Sequence, residues 1–168
     1  MAWNKNTNVR DAGVWLARKI QLIEEKAMLI SRRDRKYAKM GGTGKKPPIK
    51  QVYRAGIFYA ELGVANIGGE KNKTRPVLVI TPNNMNRDHT VVVVPLSTKF
   101  KLKPNGKSFY DSEYLLKKSD YPELDADSMV KFQDIRCVDV VRLRQFKCNV
   151  NSLDMKRMKK NLLAAMGY

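Results

Sequence analysis

Histidine, cysteine and acidic side chains are all scarce in this sequence, and each scarcity excludes something. His89 is the only imidazole, and Cys137 and Cys148 are the only thiols, with no CxxC spacing. No metal site and no cofactor are expected from such a set. An even cysteine count permits a disulfide, but no signal peptide precedes the two residues, so reduced thiols in a cytoplasmic protein are expected. Long apolar runs are missing as well. None approaches the roughly 20 residues of a membrane-spanning helix, and no membrane partner is expected. Sixteen Asp and Glu face thirty-three Lys and Arg, which leaves a net charge of +17. That imbalance favours a polyanionic partner, with nucleic acid ahead of a membrane surface or an acidic protein.

What is present is enough for one domain with an appendage: 168 residues, 43% of them hydrophobic. Residues 1–50 form a basic extension, with thirteen Lys and Arg against four Asp and Glu. Leu16, Ile20, Ile23, Ala27 and Ile30 recur there at helical spacing, with Trp15, Leu22 and Leu29 beside them. This spacing predicts an amphipathic helix from about Asp11 to Ala38. Its foremost expected use is packing on the main domain or on a second copy of itself. An addition to an RNA-binding surface and a membrane-surface role follow in that order. The Gly41–Pro48 stretch then reads as a linker.

From Val52 the pattern changes to strands. Arg54–Gly63 alternates, and Gly63–Lys73 reads as a loop. Val77–Ile80 and Thr90–Thr98 read as buried apolar strands, and a further strand is expected within Phe109–Leu116. Asp127–Gln133 alternates again, with Ile135–Asp139 extending the sheet. Ser152 is the expected N-cap of a closing helix, in which Met155, Met158, Leu162, Leu163 and Met166 form an apolar stripe. Short strands at close spacing with a final helix predict a small α+β fold, mainly β: a strongly bent antiparallel barrel.

Within this frame Glu70-Lys-Asn-Lys-Thr-Arg75-Pro76 leads into the Val77–Ile80 strand. Pro76 is expected at the strand's first position, where it breaks no ladder bond and holds Arg75 extended at the strand's mouth. Three segments together resemble the MazF/PemK family of toxin endoribonucleases. They are Arg54-Ala-Gly-Ile-Phe-Tyr-Ala-Glu-Leu-Gly63, Glu70 followed by Arg75-Pro76-Val-Leu-Val-Ile80, and Val93-Val-Pro-Leu-Ser-Thr98. A weaker fourth is Asp127-Ser-Met-Val-Lys-Phe-Gln-Asp-Ile-Arg136, then Asp139 and Arg142-Leu143. The likeness covers about Val52 to Tyr168. It departs at Ala55-Gly56, where the family has glycine and then an acidic residue, and it does not reach residues 1–50.

The resemblance implies a homodimeric SH3-like barrel that cuts single-stranded RNA, chiefly mRNA, without a metal, through the RNA's own 2′-hydroxyl to a 2′,3′-cyclic phosphate. It implies catalytic roles for Arg75 and Ser97, with Thr98 beside them and Glu70 lining the same site. It also implies a cognate antitoxin whose acidic, disordered segment covers the basic groove. These residue types suit the chemistry. Charge builds on phosphoryl oxygens in the transition state, and a planar, permanently charged guanidinium with forked donors matches it. Arginine is a poor base, so Glu70 is the candidate for that task.

The expected RNA track is Lys71 and Lys73 before the strand, then Lys99, Phe100, Lys101 and Lys103 directly after Ser97-Thr98. Phe100 is the candidate for stacking on a base, with Tyr59 a poorer one. His89 lies at the far end of its strand from Ser97 and is expected to be a loop residue. Two other readings stand beside the nuclease: a toxin of the CcdB type, whose similar fold poisons gyrase by binding alone, and a non-catalytic RNA-binding module.

Overall fold

The computed structural model describes residues 5–63, 73–85 and 89–168, with side chains from residue 10 onward. Helix α1 spans Lys5–Lys39. Strands β1 (Gly56–Glu61), β2 (Thr74–Val79), β3 (Thr90–Ser97), β4 (Glu113–Leu116), β5 (Ser128–Lys131), β6 (Arg136–Asp139) and β7 (Leu143–Asn149) follow, and α2 (Ser152–Ala165) closes the chain. The strands pair antiparallel in the order β4-β5-β3-β2-β1-β7, with β6 also on β3. The strongly bent antiparallel sheet with terminal helices is therefore as expected. Among the described residues it stops short of closure: β4 and β7 end the path, and β6 is bonded to β3 alone.

The unbroken apolar runs of β2 and β3 are explained by cover on both faces. Leu78, Val94 and Leu96 join Ile57, Phe132 and Met158 in a core beneath α2. Val77, Val79, Val91 and Val93 join Phe58, Ala60, Val138 and Leu143 on the opposite face. Asn151, not Ser152, caps α2: its side chain accepts from Asp154 N–H, so Ser152 is already the first helical residue. Of the expected stripe, Met158 is buried and Met155 and Leu162 pack on the core, whereas Leu163 and Met166 are exposed. Strand β7 was not expected at all. Its burial pattern does not alternate cleanly, and the β1–β7 register slips twice.

Helix α1 packs on the domain, but not by its apolar stripe. Leu16, Ile20 and Ile23 are 61%, 53% and 68% exposed. The inward face instead carries buried Leu22, with Trp15, Arg18, Glu25, Lys26 and Leu29 half-buried. Arg18 donates to both oxygens of Glu61 on β1 (2.7 and 3.0 Å) and to Glu25, while Arg144 on β7 reaches Glu25 and Glu61. Lys26 pairs with Asp139, and the Arg142 guanidinium lies 5.2 Å from the Trp15 ring. A pattern that counts charged residues as solvated cannot foresee a face docked through ion pairs. Among the described residues, no helix is long and apolar enough to cross a membrane.

The approach to β1 explains the departure at Ala55-Gly56. Ala55 has φ 70°, in the left-handed region where a Cβ is strained and glycine is at ease. Gly56 is held by packing instead: a Cβ there would stand 2.7 Å from the Phe58 ring and 3.1 Å from Tyr53 O. The two positions should respond oppositely in urea unfolding. Gly56→Ala is expected to destabilise by about 1–3 kcal/mol through overpacking. Ala55→Gly is expected to be neutral or to stabilise by up to about 1 kcal/mol, as relieved strain offsets added chain entropy. Equal losses at both would refute this reading.

Candidate active site and nucleic-acid cleft

The site grows from two prolines in adjacent central strands. Pro76 is the third residue of β2, not its first, and it pairs with Tyr59 of β1. Backbone groups alternate along a strand: Val79 O accepts from Ala55 on the β1 side, and Ile80 N–H donates to Val92 O on the β3 side. Pro76 therefore turns its nitrogen towards β3, where the ladder ends at Val77–Pro95. The missing donor costs nothing there. Pro95 has the matching place in β3, which pairs with β6 over Thr90–Val93 and with β5 only from Leu96. Val94 and Pro95 bridge the gap where β3 changes partner, and the sheet opens beyond it.

Past both prolines come Arg75 and Ser97. Carrying the Val77–Pro95 register two residues further sets Arg75 level with Ser97, both on the strand face that Val77 and Pro95 share. Arg75 is half-buried and pairs with Ala60. Ser97 is buried, and its Oγ accepts from Lys99 N–H (3.3 Å) and donates to Lys99 O (3.1 Å), which ends the strand in a tight turn. Thr98, at the turn, is exposed. Of the sequence-predicted catalytic set, Arg75 lies on β2, Ser97 ends the adjacent β3, and Thr98 follows it. Glu70 and Lys71 lie outside the described residues.

Beside the turn, Lys99, Phe100 and Lys101 line a cleft of about 620 Å³ with Phe109, Tyr110, Glu113 and Lys131. Lys103 is apart, in the exposed Lys103–Lys107 turn that the Leu102–Ser108 bridge closes. Lys73 also lies elsewhere, facing Trp15, Arg18 and Glu61 at the base of the β1–β2 hairpin. Tyr59 is withdrawn from stacking: its hydroxyl donates to Asp125 (2.6 Å), and Lys147 lies over its ring. His89 precedes β3 at the end opposite Ser97, as expected, and its carbonyl accepts from Val140 N–H.

The sequence reading missed Glu113, Lys131, Gln133 and the exposed rings of Phe109 and Tyr110. Burial alone would raise the Glu113 pKa, but bonds from Ser108, Lys131 and Gln133 outweigh it and hold the carboxyl below its ordinary value. Glu113 is thus a fixed anion that positions Lys131 across the β4–β5 ladder. Gln133 also lines a second, polar cleft of about 520 Å³ with Arg136 and Arg142. The Gln133–Glu113 bond links a lining residue of one cleft to a lining residue of the other, and together the two linings carry five Lys and Arg against Glu113 and Asp134. The fourth motif contained Lys131, Gln133 and Arg136, but their places follow only from long-range pairing: β5 sets Met129 opposite Ser97 and Lys131 opposite Glu113, and β6 sets Arg136 opposite Val93.

Solved structures share the fold at low sequence identity. A mycobacterial endoribonuclease in complex with its cognate antitoxin is 20% identical, with a TM-score of 0.54 over 70% of this chain and 96% of its own. MazF from Deinococcus radiodurans is 17% identical, with a TM-score of 0.56 over 71% of this chain and 99% of its own. The Mycobacterium tuberculosis toxin MazF-mt6 is also 17% identical, with a TM-score of 0.52 over 67% and 96%. No curated protein matches the chain by sequence. A family model, however, matches residues 53–166, nearly all of the chain beyond α1 and its linker. The chain therefore belongs to the PemK-like, MazF-like toxins of type II toxin–antitoxin systems.

Proposed function

We propose that this toxin is an endoribonuclease that cuts single-stranded RNA, mRNA above all, and so stops translation. Residues 51–168 form the catalytic unit and 1–50 an extension; the working form is a cytoplasmic homodimer. What supports this reading is Arg75 on β2 and Ser97 on the adjacent β3, each two residues beyond the last pair Val77–Pro95, followed in sequence by a cleft with three lysines and three aromatic rings. The 2′-oxygen attacks the adjacent phosphorus, the bond to the 5′-oxygen breaks, and a 2′,3′-cyclic phosphate and a 5′-hydroxyl result. The Arg75 guanidinium meets the charge on the phosphoryl oxygens and assists the leaving oxygen. Ser97, bonded at both ends to Lys99, holds the turn that presents the exposed Thr98 hydroxyl. Lys99, Lys101 and Lys131 follow the backbone, and Phe100, Phe109 and Tyr110 offer stacking faces. Glu113 is a weak base because its carboxyl is held ionised, which leaves Glu70 to take the 2′-hydroxyl proton. The natural antagonist is an antitoxin whose acidic, disordered segment occupies the same basic cleft.

The test is incubation of the purified, antitoxin-free protein with a long unstructured RNA in EDTA. Discrete cuts whose upstream fragments end in cyclic phosphate are expected. An intact RNA would overturn the nuclease reading in favour of gyrase binding or plain RNA binding.

A further inference from the structure

We propose that the groove between the second half of α1 and β7 binds an acidic peptide segment with apolar side chains, supplied by a protein partner. The groove has a volume of about 800 Å³. Three segments bring cations to it: Arg32 and Arg35 from α1, Lys50 from the linker and Arg144 from β7. Its one carboxylate, Glu25, is already bonded to Arg18 and Arg144. The Arg144 guanidinium is already paired with Glu25 and Glu61, so the cations open to an incoming carboxylate are the exposed Arg32 and Arg35.

The apolar part of the occupant follows from the floor. Ala27, Met28 and Leu29 form it, and Met28 is 64% exposed. Among the described residues no aromatic ring lines the groove, which leaves a base without a stacking face there. A peptide that alternates acidic and apolar residues fits both features, whereas RNA fits the cations alone. Arg32, Arg35 and Lys50 precede the residues that the family model matches, so this surface is an addition to the family's domain. It does not depend on the nuclease reading, because its test reads binding and not cleavage.

The experiment uses the full chain and three labelled probes: a peptide of about 12 residues alternating Glu and Leu, an oligoglutamate of equal charge, and a 2′-O-methyl oligouridylate. The Glu-Leu peptide is expected to bind about tenfold or more tightly than oligoglutamate. Arg32→Ala with Arg35→Ala, and separately Met28→Gln, are each expected to weaken the peptide about tenfold, with oligouridylate binding and the melting temperature unchanged. Several results would overturn the proposal: equal binding of both acidic probes, peptide binding insensitive to the variants, or an equal loss of oligouridylate. Sedimentation adds one more. If Met28→Gln converts a dimer to a monomer, a second copy covers the groove and the peptide reading falls.

Discussion

Alanine at Arg75 is expected to lower the cleavage rate about 10²–10³-fold, the range for removing one fixed donor aimed at developing charge. The loss should appear in kcat with KM little changed, because the developing charge is present only in the transition state. Binding of an RNA made uncleavable by a 2′-deoxy sugar at the cut should weaken only modestly. The slope of log affinity against log salt should fall by at most about one counterion. Lysine should restore only part of the rate: it keeps the charge but loses the planar fork that spans two oxygens. A melting curve like that of the wild type guards against a trivial loss, and the half-buried Arg75 pairs by backbone with Ala60 in any variant. Equal losses in kcat and in binding of the 2′-deoxy RNA would make Arg75 a phosphate anchor. Full activity would remove it from the site.

How such a residue comes to be placed there was partly legible in the chain. Proline after arginine, followed by an unbroken apolar run, marks a rigid strand, and β2 is that strand, although it begins at Thr74 and so takes in Arg75 and Pro76 as well. The same logic located β3 and put His89 at the wrong end of it. What the chain did not reveal depended on pairings distant in sequence. Pro95 looks like an interruption of an apolar strand until β6 and β5 are seen to share β3 on either side of it. Glu113 and Lys131 look like two solvated charges until the β4–β5 register sets them opposite each other. Helix α1 is the sharpest case. Its existence and C-terminal end were readable from periodicity, but its start at Lys5 instead of Asp11 was not, and neither was its inward face, because Arg18, Glu25 and Lys26 dock it through partners on β1, β6 and β7. Local pattern reports which residues prefer to leave water. It cannot report which charges find opposite charges after folding.

Asp154 is the other position where one substitution should matter greatly, here to stability. It sits in the first turn of α2, where a carboxylate also suits the helix N-terminus. Its two oxygens accept from Tyr114 (2.5 Å), Tyr121 (2.6 Å), Asn151 (3.1 Å) and Arg157 (3.2 Å). Those bonds tie α2 to β4 and to the segment before β5. Alanine would leave the O–H donors of Tyr121, which is 4% exposed, and of the half-buried Tyr114 without their acceptor, although the Tyr121 oxygen still accepts from Asn151. At about 1–3 kcal/mol for each unpaired group, discounted for the wetter Tyr114, the expected loss is about 3 kcal/mol in urea unfolding. Asparagine keeps the size and one good acceptor and should lose about half as much. The pH dependence gives an independent check. Burial alone would raise the Asp154 pKa, but its four hydrogen-bond donors outweigh burial and leave it below the ordinary value of 3.8. A carboxyl with a lowered folded pKa stabilises the fold above its unfolded pKa and loses that contribution as pH falls through the folded value. The gap between wild type and Asp154→Asn should therefore be constant from neutral pH down to about 5 and shrink below about 4. A gap independent of pH would assign the loss to packing alone and remove the carboxylate from the account of how α2 is held.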